Sequence, residues 1–237
     1  MTALADIRAP RKRIAVVTGH YGSGKTEFCV SLAMQLAGRD PDGYARLALA
    51  DLDIINPYFR SRERSSLLES VGVSVYGSAY GHEVTAEIPE LAANIRAPLE
   101  DRACRTLLDL GGNDAGAKVL RQFERQLPEA DTQVFCVVNA NRPETRGFDG
   151  AMAQLHDIER NLGRRVDAII NNTHLLRETD AECVLRGHRL CEQICRESGR
   201  ELWCDCYPAG IVDPTELEGC EYPMPMGLYM RPAWLDR

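Results

Sequence analysis

The stretch GHYGSGKTEF, Gly19 to Phe28, decides how this chain is read. Its first eight residues follow the pattern G-x-x-x-x-G-K-T, whose glycines and lysine suit a triphosphate. The pattern carries meaning only between a strand and a helix. IAVVTG (14–19) supplies a buried strand directly before it, and KTEFCVSLAMQLA from Lys25 has apolar residues at helical spacing. Gly22 and Gly24 let backbone N–H groups turn inward and approach phosphate with no Cβ in the way. The N-terminus of the helix adds the positive end of its dipole. Lys25 is then expected to bridge the β- and γ-phosphates, and the Thr26 hydroxyl to ligate Mg²⁺. Gly19, His20, Tyr21, Ser23 and Glu27 complete the segment expected to surround the nucleotide.

Two acidic positions extend the site outward. LLDLGG ends a buried strand with Asp109, and Gly112 follows to give D-x-x-G. A carboxylate at the C-terminal end of a strand in an open α/β sheet points into the ligand crevice, where it can hold a water on Mg²⁺. Asn113 and Asp114 come next in that loop. The second position is ALADLDIINPYFRSRE, with Asp51 and Asp53 two residues apart at a strand end, so both project to one side. One can support the metal shell while the other orients a water toward the γ-phosphate.

Around these motifs, short apolar runs alternate with longer helical stretches, the pattern of a parallel sheet covered by helices. Strands are expected at 14–19, 46–53, 73–77, 105–111, 133–139, 167–172 and 201–207. Their near-continuous apolar character suits strands buried on both faces. Helices are expected over 25–36, 59–70, 87–95, 115–126, 148–162 and 180–198, with Gly38 and Gly163 as stops for the first and fifth. The fold class is therefore α/β: one domain over 13–237, a mostly parallel twisted sheet of about seven strands with helices on both faces. Residues 1–12 read as a mobile tail. From about 208 a Pro-rich irregular segment follows, without the periodicity of a membrane-surface helix.

At 237 residues and 44% hydrophobic content the chain can bury a sizeable core. A net charge of −7 argues against a sequence-blind grip on nucleic acid. There is no long apolar run for a membrane span or anchor and no apolar segment after the N-terminal charges, so the expected location is cytoplasmic. Nine cysteines include six between Cys183 and Cys220, with no C-x-x-C pair. Free thiols are the reading, and metal ligation has little support from spacing. His82, His156, His174 and His188 show no metal-binding spacing and read as packing or surface residues.

Gly19–Thr26, the DLD of 51–53 and the DLGG of 109–112 stand in the order and spacing of MinD/ParA-type ATPases, which this chain resembles. These belong to the SIMIBI class of P-loop NTPases, together with the CobQ/CobB and nitrogenase iron-protein-like families. The chain also looks like a group of small bacterial and archaeal proteins with the patterns GxYGSGKTE and DLDxxNPYFRSRE. The resemblance runs over most of the chain and implies a P-loop NTPase fold binding Mg²⁺ and ATP. It implies Lys25 and Thr26 as phosphate and metal residues, Asp51 and Asp109 as metal supports, and Asp53 as the water-orienting catalytic residue beside Lys25. It further implies a possible homodimer and a protein or small-molecule partner. One departure stands out: the position of the "signature" lysine that such proteins extend across a dimer holds His20. Arg60, Arg62, Arg64, Arg142 and Arg146 are the arginines near enough in sequence to replace its charge.

For the base, the end of the sixth strand reads IINNTHLL. Asn171 and Asn172 can pair with a purine edge, but residue 174 is His where a guanine reader carries Asp, which favours adenine. Tyr207 and Pro208 form a turn expected to close over the base. The leading expectation is a slow Mg·ATP-dependent hydrolase acting as a switch or carrier. The alternative is phosphoryl transfer or ligation on a small molecule, with 56–64 and 139–146 binding the acceptor.

Overall fold

The computed structural model describes residues 8–53, 64–77 and 88–230. Asn56, Arg60, Arg62, His82 and the first turn of the helix expected from 59 lie outside the described residues. In chain order the elements are β1 (Ile14–Gly19), α1 (Lys25–Leu36), β2 (Arg46–Asp51), α2 (Ser65–Ser70), β3 (Val73–Tyr76), α3 (Ile88–Glu100) and β4 (Cys104–Asp109). There follow α4 (Asp114–Arg121), β5 (Thr132–Val138), α5 (Phe148–Leu162), β6 (Ala168–Asn171), α6 (Ala181–Ser198), β7 (Glu201–Pro208) and β8 (Pro223–Met226).

The strands form one eight-stranded sheet in the order β3-β2-β4-β1-β5-β6-β7-β8. Every neighbouring pair is parallel. β1 lies inside the sheet between β4 and β5, so its C-terminal end opens at the point where the chain switches from building one half to building the other. That is where open α/β sheets bind ligands. Alternation along β1 feeds two cores. Ile14 and Val16 join residues of α3, α4, α5 and α6 on one face. Ala15 and Val17 join α1, Leu68, Trp203 and Met230 on the other. Trp203 is fully buried, edge-on to Phe28 (5.9 Å between ring centres) and Phe135 (5.0 Å). No described helix is long and apolar enough to cross a membrane.

Several features differ from the sequence reading: β2 ends at Asp51 and leaves Asp53 beyond the strand, α3 runs on to Glu100, and α4 stops at Arg121. The Pro-rich segment after 208 contains β8, an eighth strand with sequence PMPM. Proline is tolerated here because β8 is an edge strand, and every second N–H of an edge strand has no ladder partner. Met224 and Met226, alternating with the prolines, turn inward and are buried. Asp205 N–H donates to Tyr222 O (3.1 Å) and Ala209 N–H to Met226 O (2.9 Å), which close the β7–β8 ladder. Residues 8–12, read as part of a mobile tail, are bonded to the lower edge of the sheet. Arg8 donates to Trp203 O and pairs with Glu201, Arg11 N–H donates to Gln133 (2.8 Å), and Lys12 donates to the carbonyls of Glu129 and Thr132.

The same lower end holds Arg105 of β4, whose side chain is fully buried. It pairs with Asp40 and Asp42, donates to Pro10 O (2.6 Å) and Lys12 O (3.1 Å), and stacks on Tyr44 with 4.6 Å to the ring centre. The N-terminal segment, the α1–β2 loop and β4 are thus fastened through one guanidinium.

Candidate nucleotide site

The loop after β1 turns back on itself through Ser23 N–H donating to His20 O (3.1 Å), and α1 starts with Phe28 N–H donating to Gly24 O (3.0 Å). Gly24 caps the helix at φ 88° with no side-chain cap, so the first-turn amides of α1 remain available to an anion. A side chain at 24 is excluded twice: φ is left-handed, and a Cβ would overlap the Asn172 amide. That amide donates to Ser23 O (2.8 Å) and fixes the loop from the end of β6. Lys25 is buried, and its Nζ donates back to His20 O (3.2 Å).

The acidic residues converge on this loop. Asp51 and Asp109 occupy the same register position at the ends of β2 and β4, and Asp109 is also level with Val17 of β1. Asp53 N–H donates to Asp51 Oδ1 (3.1 Å), while its own Oδ1 lies 3.0 Å from where a Cβ on Gly111 would sit. Gly112 packs so closely on Gly19 O that no side chain fits between the two loops. Asn113 caps α4 by accepting from Gly116 N–H (3.1 Å).

Asp109 is fully buried, and neither carboxylate oxygen has a hydrogen bond of ordinary geometry, the Thr26 hydroxyl being the donor that stands beside it. Its pKa is raised from 3.8 to about 6, chiefly by burial and in part by the Asp53 charge, against the Thr26 hydroxyl and the Lys25 charge, which favour the ionised form. A buried carboxylate whose oxygens have no ordinary hydrogen bond, next to a hydroxyl and a second strand-end carboxylate, is a donor set that fits a hard divalent cation. Thr26, Asp51 and Asp109 are the residues that could hold Mg²⁺.

Other residues assigned from sequence sit differently. Asn171 is fully buried, and both N–H bonds of its amide are committed, to Val184 O (3.0 Å) and Asp205 Oδ1 (2.7 Å). Its Oδ1 accepts from Thr173 N–H (3.1 Å), so no donor of Asn171 is left for a purine edge. Tyr207 packs with Val184, Val212 and Leu217, and Pro208 O accepts from Ile211 and Val212 (both 3.2 Å). Glu27 faces the chain's last described residues: its two oxygens accept from Tyr229 N–H (2.6 Å) and Met230 N–H (2.8 Å). Burial raises its pKa despite those bonds. Tyr21 is 71% exposed, and His20 Nδ1 lies 2.8 Å from Tyr21 O. Of the residues suggested for an acceptor, Asn139 is buried and binds Asn141 N–H (2.9 Å). Glu27→Ala is expected to leave two amides unsatisfied, lower stability by about 1–3 kcal/mol, and open the segment around 227–230 to limited proteolysis.

Two residues beside the loop were less visible in sequence. Arg142, on the loop after β5, donates from Nε to Gly22 O (2.7 Å), laying its guanidinium along the phosphate loop. His174 carries its Nε2 within 3.4 Å of the position a Gly24 Cβ would take. Burial, with Arg142 nearby, lowers its pKa to about 4, so the ring is neutral at pH 7. Because Nδ1 accepts from Leu176 N–H (3.2 Å), the ring proton resides on Nε2, facing the loop. Only the tertiary approach of the β5 and β6 loops to the 19–24 turn reveals either role.

Solved structures share this chain path. The cell division protein FtsY of Thermotoga maritima aligns over 85% of this chain and 64% of its own, with TM-score 0.54 and 20% identity. The signal recognition particle 54 kDa protein of Aeropyrum pernix K1, in complex with GDP, aligns over 90% of this chain and 44% of its own, with TM-score 0.55 and 20% identity. The chloroplast FtsY of Physcomitrella patens aligns over 92% and 67%, with TM-score 0.58 and 16% identity. The fold is that of a P-loop NTPase. Residues 19–26 form the loop that joins β1 to α1 and the start of that helix, and the strand-end acids of β2 and β4 stand beside it. At these identities the likeness establishes the fold. The chain spans less than two thirds of the first two proteins, 64% and 44% of their lengths. No protein-family model matches the chain, and no curated protein does.

Proposed function

We propose that the chain binds a Mg²⁺–nucleoside triphosphate, with ATP as the nucleotide, and hydrolyses it slowly as a nucleotide-dependent switch or carrier. The observation carrying this reading is Asp109: a fully buried carboxylate level with Asp51 and beside Lys25 and Thr26 at the uncapped start of α1. The α1 amides and the P-loop backbone bind the phosphates. Lys25 exchanges its bond to His20 O for the β- and γ-phosphate oxygens. Thr26, Asp51 and Asp109 would hold Mg²⁺, which when bound neutralises charge on those oxygens. Asp53 orients a water for attack on the γ-phosphate. Arg142 supplies, within the chain, a fixed positive charge that His20 does not carry.

The base assignment rests on missing contacts. Neither His174 nor the next residue, Leu175, offers the carboxylate that a guanine N–H edge requires. GDP is the nucleotide bound in the Aeropyrum pernix structure, so guanine is the competitor to test. Titration with fluorescent ATP and GTP analogues, with Mg²⁺ and with EDTA, separates the possibilities. ATP should bind at least tenfold tighter than GTP, and EDTA should weaken both. Lys25→Ala should weaken binding tenfold or more, through loss of charge-assisted bonds. Equal or tighter GTP binding reverses the base assignment, whereas unchanged binding in Lys25→Ala overturns the phosphate site itself. Size-exclusion runs with and without ATP report whether the nucleotide also drives formation of a homodimer. Phosphate release without any acceptor favours hydrolysis over transfer to a small molecule.

A further inference from the structure

Outside the P-loop, α6, β7 and the loop before β8 bring together three side chains that sequence spacing keeps apart. One ligand atom each from His188, Asp205 and Cys220 lies within 4.8 Å of the others. His188 and Asp205 are buried and Cys220 is half-buried. His188 Nδ1 stands 2.9 Å from Asp205 Oδ2, and the Cys220 thiol lies beside the same carboxylate. His188 and Asp205 border a cavity of about 250 Å³ that Glu192, Cys195 and Tyr222 also line.

We propose that His188, Asp205 and Cys220 form a zinc site, with His188 Nδ1, Asp205 Oδ2 and Cys220 Sγ as ligands and the fourth position open to the cavity. Imidazole nitrogen, carboxylate oxygen and thiolate sulfur together form a Zn²⁺ donor set. Tetrahedral zinc places its ligand atoms roughly 3.3–3.8 Å apart. The His188–Asp205 pair needs to open slightly, and the thiol, within 4.8 Å of both partners, to come within ligand range. In the present arrangement His188 and Asp205 are hydrogen-bonded to each other. Burial and the Asp205 charge push the thiol up to about 12, so the cation must displace its proton. The outer contacts suit ligation. Asn171 donates to Asp205 Oδ1 (2.7 Å), and Glu192 Oε1 lies 3.7 Å from His188 Nε2, placed to accept the remaining ring N–H.

The experiment uses the full chain, stripped with chelator and returned to Zn²⁺ or Co²⁺. Wild type should retain one equivalent of Zn²⁺ after gel filtration and release at least one proton per ion to a weakly buffered indicator. With Co²⁺ it should show a thiolate charge-transfer band. Cys220→Ser should abolish the band, and His188→Gln should weaken Zn²⁺ binding at least tenfold. Glu192→Gln should weaken it about tenfold as an outer contact. Asp109→Asn should retain the ion, which separates this site from the nucleotide site. Circular dichroism matching wild type shows that a variant's loss is not unfolding. Wild type without stoichiometric Zn²⁺ overturns the proposal. So does a band that survives Cys220→Ser, or one lost only in Cys204→Ser, since Cys204 and Cys206 (sulfurs 3.8 Å apart) form the competing thiol pair.

Discussion

Asp109→Asn should raise the melting temperature of the nucleotide-free protein by roughly 5–10 °C at pH 7.5 and abolish its Mg²⁺-dependent nucleotide binding. The two effects come from one carboxylate. Asp109 has no exposed surface, and burial lifts its pKa from 3.8 to about 6. Each unit of such a shift corresponds to about 1.4 kcal/mol, so holding the group ionised in the folded apo protein costs about 3 kcal/mol at neutral pH. The sign follows from proton uptake. The folded state keeps the proton above the pH at which the unfolded chain releases it. The contribution therefore favours folding fully below pH 4 and disappears as pH rises through about 6. Asparagine removes the charge and that pH dependence together. Thermal melts of wild type and variant at pH 5 and pH 7.5, without nucleotide, check it: the curves should separate at pH 7.5 and approach each other at pH 5. A variant less stable than wild type at pH 7.5 would show that Asp109 is satisfied without a ligand. With Mg²⁺–ATP present the order should invert, because only wild type gains binding energy.

Arg105→Ala should lower stability by about 3–5 kcal/mol while leaving nucleotide affinity unchanged. The guanidinium is fully buried and serves Asp40, Asp42, two backbone carbonyls and the Tyr44 ring. Truncation leaves the Asp40 carboxylate, 7% exposed, without its counter-ion. An uncompensated buried charge is among the largest single-residue penalties known. Arg105 and Asp109 lie four residues apart on β4, roughly 13 Å along the strand, so the lower end of the sheet can fail without altering the site. Urea unfolding of Arg105→Ala, Asp40→Asn and the double variant isolates the interaction. The double variant should lose much less than the sum of the singles. Additive losses would mean that the pair acts only through packing.

What the chain's letters reveal depends on how local the determinant is. The P-loop was legible because strand, glycines, lysine and helix are contiguous, and α1 and α5 begin and end at Lys25–Leu36 and Phe148–Leu162 as their periodicity and stops require. Asp51 and Asp109 could be placed at strand ends, since a buried run followed by a carboxylate marks the edge of the sheet. β8 escaped because its prolines read as breakers, and only its edge position makes them acceptable. Asn171 looked suited to a base, yet its partners Val184 and Asp205 lie on other elements, and pattern cannot supply tertiary hydrogen bonds. The same limit left Arg142 as one of five candidate arginines, and hid the place of His174 above the loop, the C-terminal partners of Glu27, and the grouping of His188 with Asp205 and Cys220.

The Glu27 contact makes the last described residues and the nucleotide loop share a single turn of helix. Thr26, expected on the metal, and Glu27, bound to the amides of Tyr229 and Met230, are consecutive. Thermodynamic reciprocity then links the two ends of the chain. If a bound triphosphate tightens this turn by some factor, whatever grips the C-terminal segment alters triphosphate affinity by that same factor. On that condition the Tyr229–Met230 segment would be a handle from which occupancy of the loop is sensed, and set, without entering the site.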